Sequence, residues 1–360
     1  LSGTAKAEDV SKTAKPKVPM NIALYGEALA RGAYHMVNEG SKTTQGTSVL
    51  DMSSQGTLID ADFRGKLGAN LDNKHYVFVP VEVAMKMPDM ANSIAGVGSV
   101  GGVNGSSLDL GFGLGYGRNF GNHKVALSVL MDMYQEALTG KHDIINFTQD
   151  NNASDIAAVL EYALNSEKGK KVFEARYKQN VANLGGESKT TVTIPSFGMT
   201  LPTQTGKLTK GGMSLEATVF VPVMLDPFIT GKLDTVFQEV DTAGTLDTKN
   251  YTKLGVEAGA TAYRKGNFSI DALVGYGAIT SGLVNESALN HSDLYGRLGM
   301  HYAYGQNVDF TRVTPTVAVD EKSNTATATV EPTPVATPEV KKKAAVKPKA
   351  KPKATKPKAK

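Results

Sequence analysis

A strict two-residue alternation of apolar and polar side chains, repeated many times through residues 20–305, constrains the fold of this chain more than any other feature. Residues 58–72 show it most clearly, with Ile59 and Phe63 in one register and Asp60 in the other. Alternate residues of a β-strand point to opposite faces of a sheet. The sequence therefore predicts an all-β protein whose strands have one apolar and one charged face.

Twelve segments carry this alternation, and each is predicted to be a strand. The segments are 21–36, 58–72, 75–87, 107–119, 124–137, 155–165, 171–183, 213–225, 228–240, 251–264, 267–280 and 292–304. Five short connections, mostly rich in Gly, Asn or Asp as hairpin turns require, alternate with six longer loops. An even strand number with alternating short turns and long loops is typical of outer-membrane β-barrels.

Charge in these segments is confined to one register. The central parts of the apolar register contain no Asp, Glu, Lys or Arg, whereas the opposite register contains fifteen acids and nine bases. Small residues such as Ala28 and Gly65 would leave a packed core underfilled, and Tyr34 and Tyr302 near segment ends are typical of an aromatic girdle. The sequence therefore predicts a closed antiparallel transmembrane β-barrel of about twelve strands with disordered termini. The alternative is a soluble β-sandwich or barrel.

The two ends of the chain lack the alternation. Residues 1–18 are predicted to be a flexible leader, residues 19–305 the barrel, and residues 306–360 a disordered tail rich in Lys, Pro and Ala. Such a tail cannot bury enough apolar area to offset its ordering entropy. The chain starts at Leu1 without a signal peptide, as expected of a mature exported protein.

The net charge of +4 hides an asymmetry between the tail and the rest of the chain. Residues 341–360 contain ten Lys and no acid, and the remainder has 29 Lys and Arg against 35 Asp and Glu. The chain has no Cys, which excludes disulfides and thiolate metal sites. No stretch approaches the roughly 20 apolar residues that a spanning helix needs.

On this pattern, residues 20–305 resemble the bacterial outer-membrane porin-type barrels. The segment LYGRLGMHYAYG at 294–305 has the character of the aromatic last strand of such barrels, although the chain continues for over fifty residues. That extension resembles barrels of the OmpA-like class, but it lacks the length and pattern of a folded peptidoglycan-binding domain. The resemblance implies a bacterial outer-membrane location with both termini in the periplasm and with outer-membrane lipid as a partner.

The charged register is the main functional candidate, because in a barrel it would line the lumen. One interpretation is a water-filled pore for small polar solutes or ions, with weak cation selectivity from the excess of acids. The other is a lumen closed by ion pairs among the same side chains. The candidate pore-lining residues are Glu27, Arg31, Asp60, Asp62, Arg64, Lys66, Glu82, Lys86, Asp132, Glu136, Glu174, Arg176, Lys178, Lys253, Glu257 and Arg297.

The basic tail is a second candidate for binding. Its candidate contacts are Lys341, Lys342, Lys343, Lys347, Lys349, Lys351, Lys353, Lys356, Lys358 and Lys360. Peptidoglycan or another anionic periplasmic polymer, anionic lipid and nucleic acid are the possible partners, and a plain spacer is a further reading. A periplasmic position favours the cell wall and argues against nucleic acid.

Catalytic chemistry has little support in the sequence, and we expect no enzyme activity, cofactor or metal. The glycines of GFGLGYG at 111–117 lie within a strand, so they are predicted to point inward and leave room for bulky neighbours. Adjacent residues of a strand point to opposite faces, so the run from His291 to Asp293 cannot form a triad by itself. His35 and His301 are predicted lumen residues. A non-conducting structural anchor or adhesin is the main rival to a porin, and an outer-membrane hydrolase is a remote one.

Overall fold

A computed structural model describes most of the chain between Ile22 and Gly305. The described residues are 22–45, 48–72, 74–95, 97–142, 144–284 and 287–305. Within them the chain is almost entirely β-strand, with one turn of 3-10 helix at Pro195–Phe197. No helix among these residues is long and apolar enough to cross a membrane. The predicted leader and the predicted tail lie outside the described residues.

Thirteen strands follow one another through the part of the chain that the structure describes. They are β1 (Ala23–Gln45), β2 (Ser48–Asn70), β3 (His75–Ile94), β4 (Gly98–Phe120), β5 (His123–His142), β6 (Asn146–Asn165), β7 (Lys171–Ile194), β8 (Met199–Thr200), β9 (Gln204–Phe220), β10 (Phe228–Thr242), β11 (Thr245–Lys265), β12 (Phe268–Val284) and β13 (Ser287–Tyr304). Twelve of them form the wall, and the two-residue β8 pairs only with the end of β7.

The sheet closes on itself into a barrel. Every wall strand pairs antiparallel with its neighbours in the chain, β7 pairs with both β6 and β9, and β1 pairs with β13. The closing register places Gly26 opposite Tyr304 and Lys42 opposite Ala288. Closure pairs the strands at the seam, as a wall in lipid requires, because unpaired backbone groups there are costly. The prediction of an all-β closed antiparallel barrel of about twelve strands is therefore confirmed.

The predicted lengths of the strands were wrong. Wall strands run from 15 to 24 residues, longer than the 11 to 16 residues of the alternating segments. β1 and β2 occupy most of the predicted loop at 37–57, and β7 and β9 most of that at 184–212. Beyond the apolar band both faces of a strand meet water, so the alternation that marks a strand disappears there although the pairing continues.

The apolar register faces outward along the wall. Leu67 and Leu114 are both 73% exposed, and Leu298 is 62% exposed. Tyr34 and Tyr302 lie on the same outer face, as predicted for a girdle. An exposed apolar band that encircles a protein is costly in water and favourable in hydrocarbon. The outer face of this barrel is therefore a lipid-facing surface.

The barrel has two different ends. The end that carries Ile22 and Gly305 is called the turn end, and the opposite end, to which the strands extend beyond the alternating segments, is called the loop end. The turn-end connections are 71–74, 121–122, 166–170, 221–227 and 266–267. In the first of them the Asp72 carboxylate accepts hydrogen bonds from the backbone N–H groups of Lys74 and His75, at 2.7 and 2.6 Å. These two bonds lower the pKa of Asp72 below its ordinary value.

Candidate functional site

The inner face of the barrel carries the charged register. Glu27 and His35 on β1 are each 4% exposed, whereas Leu24 on the same strand is 70% exposed. All sixteen predicted pore-lining residues lie on this inner face. Their role in lining a pore stays a prediction, because the position of a side chain does not show what passes it.

An aromatic cluster lies on the inner face of β1 and β3 at the turn end. Tyr25, Tyr76 and Phe78 are buried there, and the rings of Tyr25 and Tyr76 meet edge to face at 5.9 Å between centroids. A Cβ added to Gly115 would lie 2.2 Å from the Phe78 ring, and one added to Gly117 would lie 2.1 Å from the Tyr76 ring. These two glycines point inward and accommodate bulky neighbours, which confirms the prediction for this strand.

Ion pairs cross the lumen between the aromatic cluster and the loop end. The ion-pair layer comprises Arg31, Asp62, Arg64, Lys66, Glu82, Asp132, Glu161, Arg176, Lys178, Glu216, Lys232, Glu257 and Arg297. Seven cations and six anions therefore meet in this layer, close to electrical balance. All of them come from the alternating inner register of the wall strands, so the alternation itself brings them together.

The pair of Arg64 and Glu216 joins opposite walls. Arg64 lies on β2 and Glu216 on β9, six positions away in either direction around the ring. Two hydrogen bonds link the guanidinium to the carboxylate, at 2.9 and 3.3 Å. Arg31 and Lys232 approach the same carboxylate at 3.9 and 3.6 Å. Glu216 is thus shared by three cations at the centre of the lumen.

Other ion pairs span shorter chords of the ring. The Lys66 ammonium on β2 reaches Glu161 on β6 at 2.6 Å and lies 5.0 Å from the centre of the Phe78 ring. Glu82 on β3 is bound by Arg176 and, at 3.2 Å, by Lys178 of β7. Each of these contacts ties strands that are four positions apart. The layer therefore links both sides of the wall across the lumen and narrows the path through it.

A small cavity remains within the ion-pair layer. It offers about 80 Å³ to the centres of water molecules, and Arg31, Arg64, Glu161, Arg176 and Glu216 are among its lining residues. One water needs roughly 10–15 Å³ by this measure. The cavity therefore has room for a few waters or a small ion beside the charged groups, and not for a large solute.

The lumen near the loop end forms an acidic vestibule. The vestibule comprises the inward residues Asp60, Lys86, Asp109, Tyr134, Glu136, Asp155, Lys210, Asp234, Lys253 and Asp293. His35 bridges Asp60 and Asp293 with contacts of 3.0 Å on each ring nitrogen. Lys253 reaches Asp293 at 2.9 Å. His35 is thus a lumen residue that links two carboxylates, as its inward register predicted.

Several lumen residues were missed by the sequence. Lys210 lies 3.3 Å from Asp109 and its ammonium lies 3.3 Å from the centre of the Tyr134 ring. Glu39 contacts His291 at 2.8 Å. Lys210, Glu39 and His291 fall in predicted loops that are strand extensions. Only the pairing register of the extended strands shows that they face inward.

Two observations on the described residues concern metal binding and catalysis. No group of three or more His, Cys, Asp or Glu side chains there could hold a metal ion. Ser269 is the cross-strand partner of His301, whose Nε2 lies 2.5 Å from Asp271. Ser269 is fully buried, however, so solvent does not reach its hydroxyl.

Several solved structures are distantly similar in fold to this chain. No protein-family model matches the chain, and no curated protein matches it. The translocator domain of the autotransporter NalP from Neisseria meningitidis is 11% identical at a TM-score of 0.38, over 76% of this chain and 88% of that one. The COG4313 outer membrane channel from Pseudomonas putida F1 is 13% identical at a TM-score of 0.42, over 78% and 96%. The transport unit of the autotransporter AIDA-I from Escherichia coli is 10% identical at a TM-score of 0.38, over 83% and 93%.

The geometry of this chain itself therefore defines its class. The described residues form a closed antiparallel transmembrane β-barrel of twelve wall strands, with an apolar outer band and a charged interior. An ion-pair layer crosses its lumen.

Proposed function

We propose that this chain is a porin-like channel of the bacterial outer membrane that allows passive diffusion of small polar solutes or ions. The observation that carries the proposal is the separation of surfaces within the apolar band, where uncharged side chains face outward from the closed wall and the charged side chains face inward. Hydrocarbon outside and water inside satisfy both faces at once. The proposal assigns the chain no catalytic role and no cofactor.

The ion-pair layer sets the size of what passes. Its cavity of about 80 Å³ holds water-sized species, and the acidic vestibule above it is lined by carboxylates such as Asp109. A solute that passes through the layer must replace some of the contacts between Arg64, Glu216 and their neighbours. The conductance is therefore expected to be small. Small ions and small polar molecules are the substrate class that fits.

A non-conducting barrel is the second candidate, and a specific observation favours it. The hydrogen bonds between Arg64 and Glu216 tie opposite walls together, and the aromatic cluster takes up further space in the lumen below them. In that case the barrel serves as an anchor or adhesin that carries its loops and its tail. The choice depends on whether the pairs exchange fast enough to let ions through.

Planar-bilayer recording separates the two candidates. Refolded protein is expected to give small, stable channel events, and a variant carrying Arg64→Ser and Glu216→Ser is expected to give larger ones. A variant carrying Lys42→Ser and Asp51→Ser, an exposed ion pair away from the ion-pair layer, is the matched control and should behave like the unaltered protein. Silence from all three proteins would overturn the channel proposal, and conduction by the Arg64 and Glu216 variant alone would support a plugged barrel.

The orientation of the barrel is a separate proposal. We infer that the loop end faces the outside of the cell and that both ends of the wall are periplasmic, since the wall strands extend beyond the alternating segments at the end of the barrel opposite Ile22 and Gly305. The chain has no Cys, so one introduced thiol can be labelled alone. A membrane-impermeant maleimide should label Ser196→Cys on intact cells and Asn122→Cys only after the outer membrane is opened. The reverse pattern would refute the orientation.

The Lys-rich tail is proposed to contact peptidoglycan or another anionic periplasmic polymer. Ten Lys without an acid in residues 341–360 give it a strong positive charge, which attracts anionic polymers at low ionic strength. A pull-down on purified peptidoglycan with and without residues 311–360 tests the idea. Loss of binding in the shortened protein, and its weakening by salt in the full chain, are expected. Equal binding by both proteins would rule the contact out.

A further inference from the structure

One connection at the turn end has an unusual composition. Residues 221–227 read VPVMLDP, whereas the connection before β7, at 166–170, reads SEKGK. In residues 221–227, Val223 is 53% exposed, Met224 88% and Leu225 56%. Turns in water are usually built from Gly, Asn, Asp, Ser and Pro, so three exposed apolar side chains in a row are unexpected there. The name wall patch is used for residues 221–227.

The wall patch takes the place of missing strand in the wall. The ladder of β9 and β10 ends with Phe220 opposite Phe228, and Phe228 lies opposite Gly259 of β11. β11 continues beyond Gly259 towards the turn end. The Leu225 carbonyl meets this continuation, because it accepts a hydrogen bond from the Thr261 N–H at 2.8 Å. The wall patch therefore lies beside β11, within the height of the wall.

The single charged residue of the wall patch points away from the outer surface. Asp226 is 5% exposed, its carboxylate is bound by Arg264 of β11, and it lies 3.5 Å from the Lys170 ammonium. Leu225 and Asp226 have positive φ angles of 67° and 34°, a conformation that residues other than Gly rarely adopt. This turn leaves Leu225 outside and Asp226 inside. The outer surface of the patch is therefore uncharged.

Most backbone donors of the wall patch are bonded within it or absent. Val221 donates its N–H to the Pro227 carbonyl at 2.9 Å, Val223 donates to Val221 at 2.8 Å, and Asp226 donates to Val223 at 3.2 Å. Pro222 and Pro227 have no N–H. This lowers the cost of removing the segment from water. A segment without a ladder does not suit the middle of the hydrocarbon, however, so the boundary layer of the membrane is the place that fits it.

The exposed side chains of the wall patch continue the lipid-facing band. From Met213 to Leu225 every second residue is apolar, in the order Met, Leu, Ala, Val, Val, Val and Leu. Val219 on β9 is 55% exposed, and Val221 follows in the same register at 49%. Ile229 on β10 and Tyr263 on β11 are 60% and 48% exposed beside it. Because this surface is continuous with one that faces lipid, lipid is the occupant that the structure supports.

We propose that the wall patch lies at the boundary between the headgroups and the acyl chains of the leaflet at the turn end. Val223, Met224 and Leu225 then insert among the upper parts of the acyl chains. Interfacial segments bury their apolar face roughly 5–10 Å into this boundary. The patch thus closes the wall where β9 and β10 end, and it fixes the depth of the barrel in the membrane, whether or not the lumen conducts.

Tryptophan fluorescence tests this proposal, because the chain has no Trp and one introduced Trp reports alone. Met224→Trp is refolded in vesicles of phosphatidylcholine with bromine atoms in either the upper or the terminal part of the acyl chains. Bromine quenches Trp on contact, so the upper bromine should quench Met224→Trp more strongly than the terminal bromine does. Val129→Trp, on the lipid face of β5, is the positive control. Lys168→Trp, in the exposed part of the 166–170 turn, is the matched control and should be quenched by neither lipid.

Several results would overturn the proposal. Quenching of Met224→Trp no stronger than that of Lys168→Trp would show that the patch does not contact the acyl chains. Stronger quenching by the terminal bromine would place it in the middle of the hydrocarbon instead.

A third contrary result is protection of Met224→Trp from iodide in the buffer without any quenching by lipid, because protein would then cover the patch. Loss of that protection on removal of residues 306–360 would identify the tail as the occupant, and its loss at a large excess of vesicles would identify a second copy of the chain. Val223→Trp repeats the measurement from a second position, and the folded state of each variant is checked by its faster migration when unheated.

Discussion

Replacing Glu216 with Gln removes the carboxylate that Arg64, Arg31 and Lys232 share inside the lumen. With charge centres about 4 Å apart, one such pair is worth roughly 4 kcal/mol at an effective dielectric of about 20. The Arg64 and Glu216 side chains are 16% and 21% exposed, so water offsets part of this attraction. Leaving a guanidinium without its partner in such a place is expected to cost about 2–3 kcal/mol of folding free energy.

A double-mutant cycle isolates the pair from the other contacts of each residue. The free energy of unfolding by urea in phospholipid vesicles is measured for the unaltered protein, Arg64→Met, Glu216→Gln and the double variant. The expected coupling energy is about 2 kcal/mol, because either single change already breaks the pair. The double variant should therefore be little worse than the single variants.

The exposed pair of Lys42 and Asp51 is the matched control for this cycle. Its side chains are 62% and 45% exposed, with the charged atoms 3.4 Å apart. Exposed pairs are worth roughly 0–1 kcal/mol, so a cycle of Lys42→Met and Asp51→Asn should give a much smaller coupling. A coupling between Arg64 and Glu216 no larger than this control would show that the ion-pair layer does not hold the walls together.

Three further expectations concern the wall and a turn. Gly115→Val should destabilise the barrel by about 1–3 kcal/mol through overpacking and so lower the temperature at which the unheated gel band is lost, whereas Gly231→Ala, which meets nothing within 4 Å, should not. Val129→Arg on the lipid face should cost about 2–4 kcal/mol in vesicle refolding, and Thr148→Arg beyond the band under about 0.5 kcal/mol. Because the pKa of Asp72 is lowered in the folded state, the extra folding stability of the unaltered protein over Asp72→Asn should be fully present at neutral pH. This extra stability should be lost as the pH falls below 3.8, the ordinary pKa of Asp, and through the lowered pKa of the folded state. Urea titrations at several pH values would show the loss.

Much of the wall could be predicted from the sequence because a barrel in lipid enforces a strict pattern. Each residue that faces hydrocarbon must be uncharged, so the register of Ile59 and Phe63 fixes the inward direction of Asp60 and its neighbours. The strand ends could not be predicted. Beyond the band, pairs such as Ser54 with Asn92 hold the ladder together, and polar residues occur on both faces.

The sequence predicts which residues face the lumen, but it does not predict which of them contact each other. Alternation assigns Arg64 and Glu216 to the lumen, but it carries no information on which strands face each other across it. That relation depends on the closure of twelve strands and on their stagger. Lys210 shows the other failure, since the alternation breaks near it and assigns it to a loop, although its ammonium contacts Asp109 inside the barrel.

The position of the charges changes what their number implies for selectivity. An excess of acids in the inner register predicts weak cation preference, yet the ion-pair layer is nearly balanced, whereas the acidic vestibule holds six carboxylates against three Lys. Vestibule charges that lie away from the path of an ion act at a distance, which the Debye length limits to about 10 Å at 0.1 M salt and about 3 Å at 1 M. The reversal potential under a KCl gradient should therefore show a cation preference at 0.1 M that nearly disappears at 1 M. Asp234→Asn should reduce the preference at low salt without changing conductance at high salt. A preference that persists at 1 M would instead place the selective charges within the ion-pair layer.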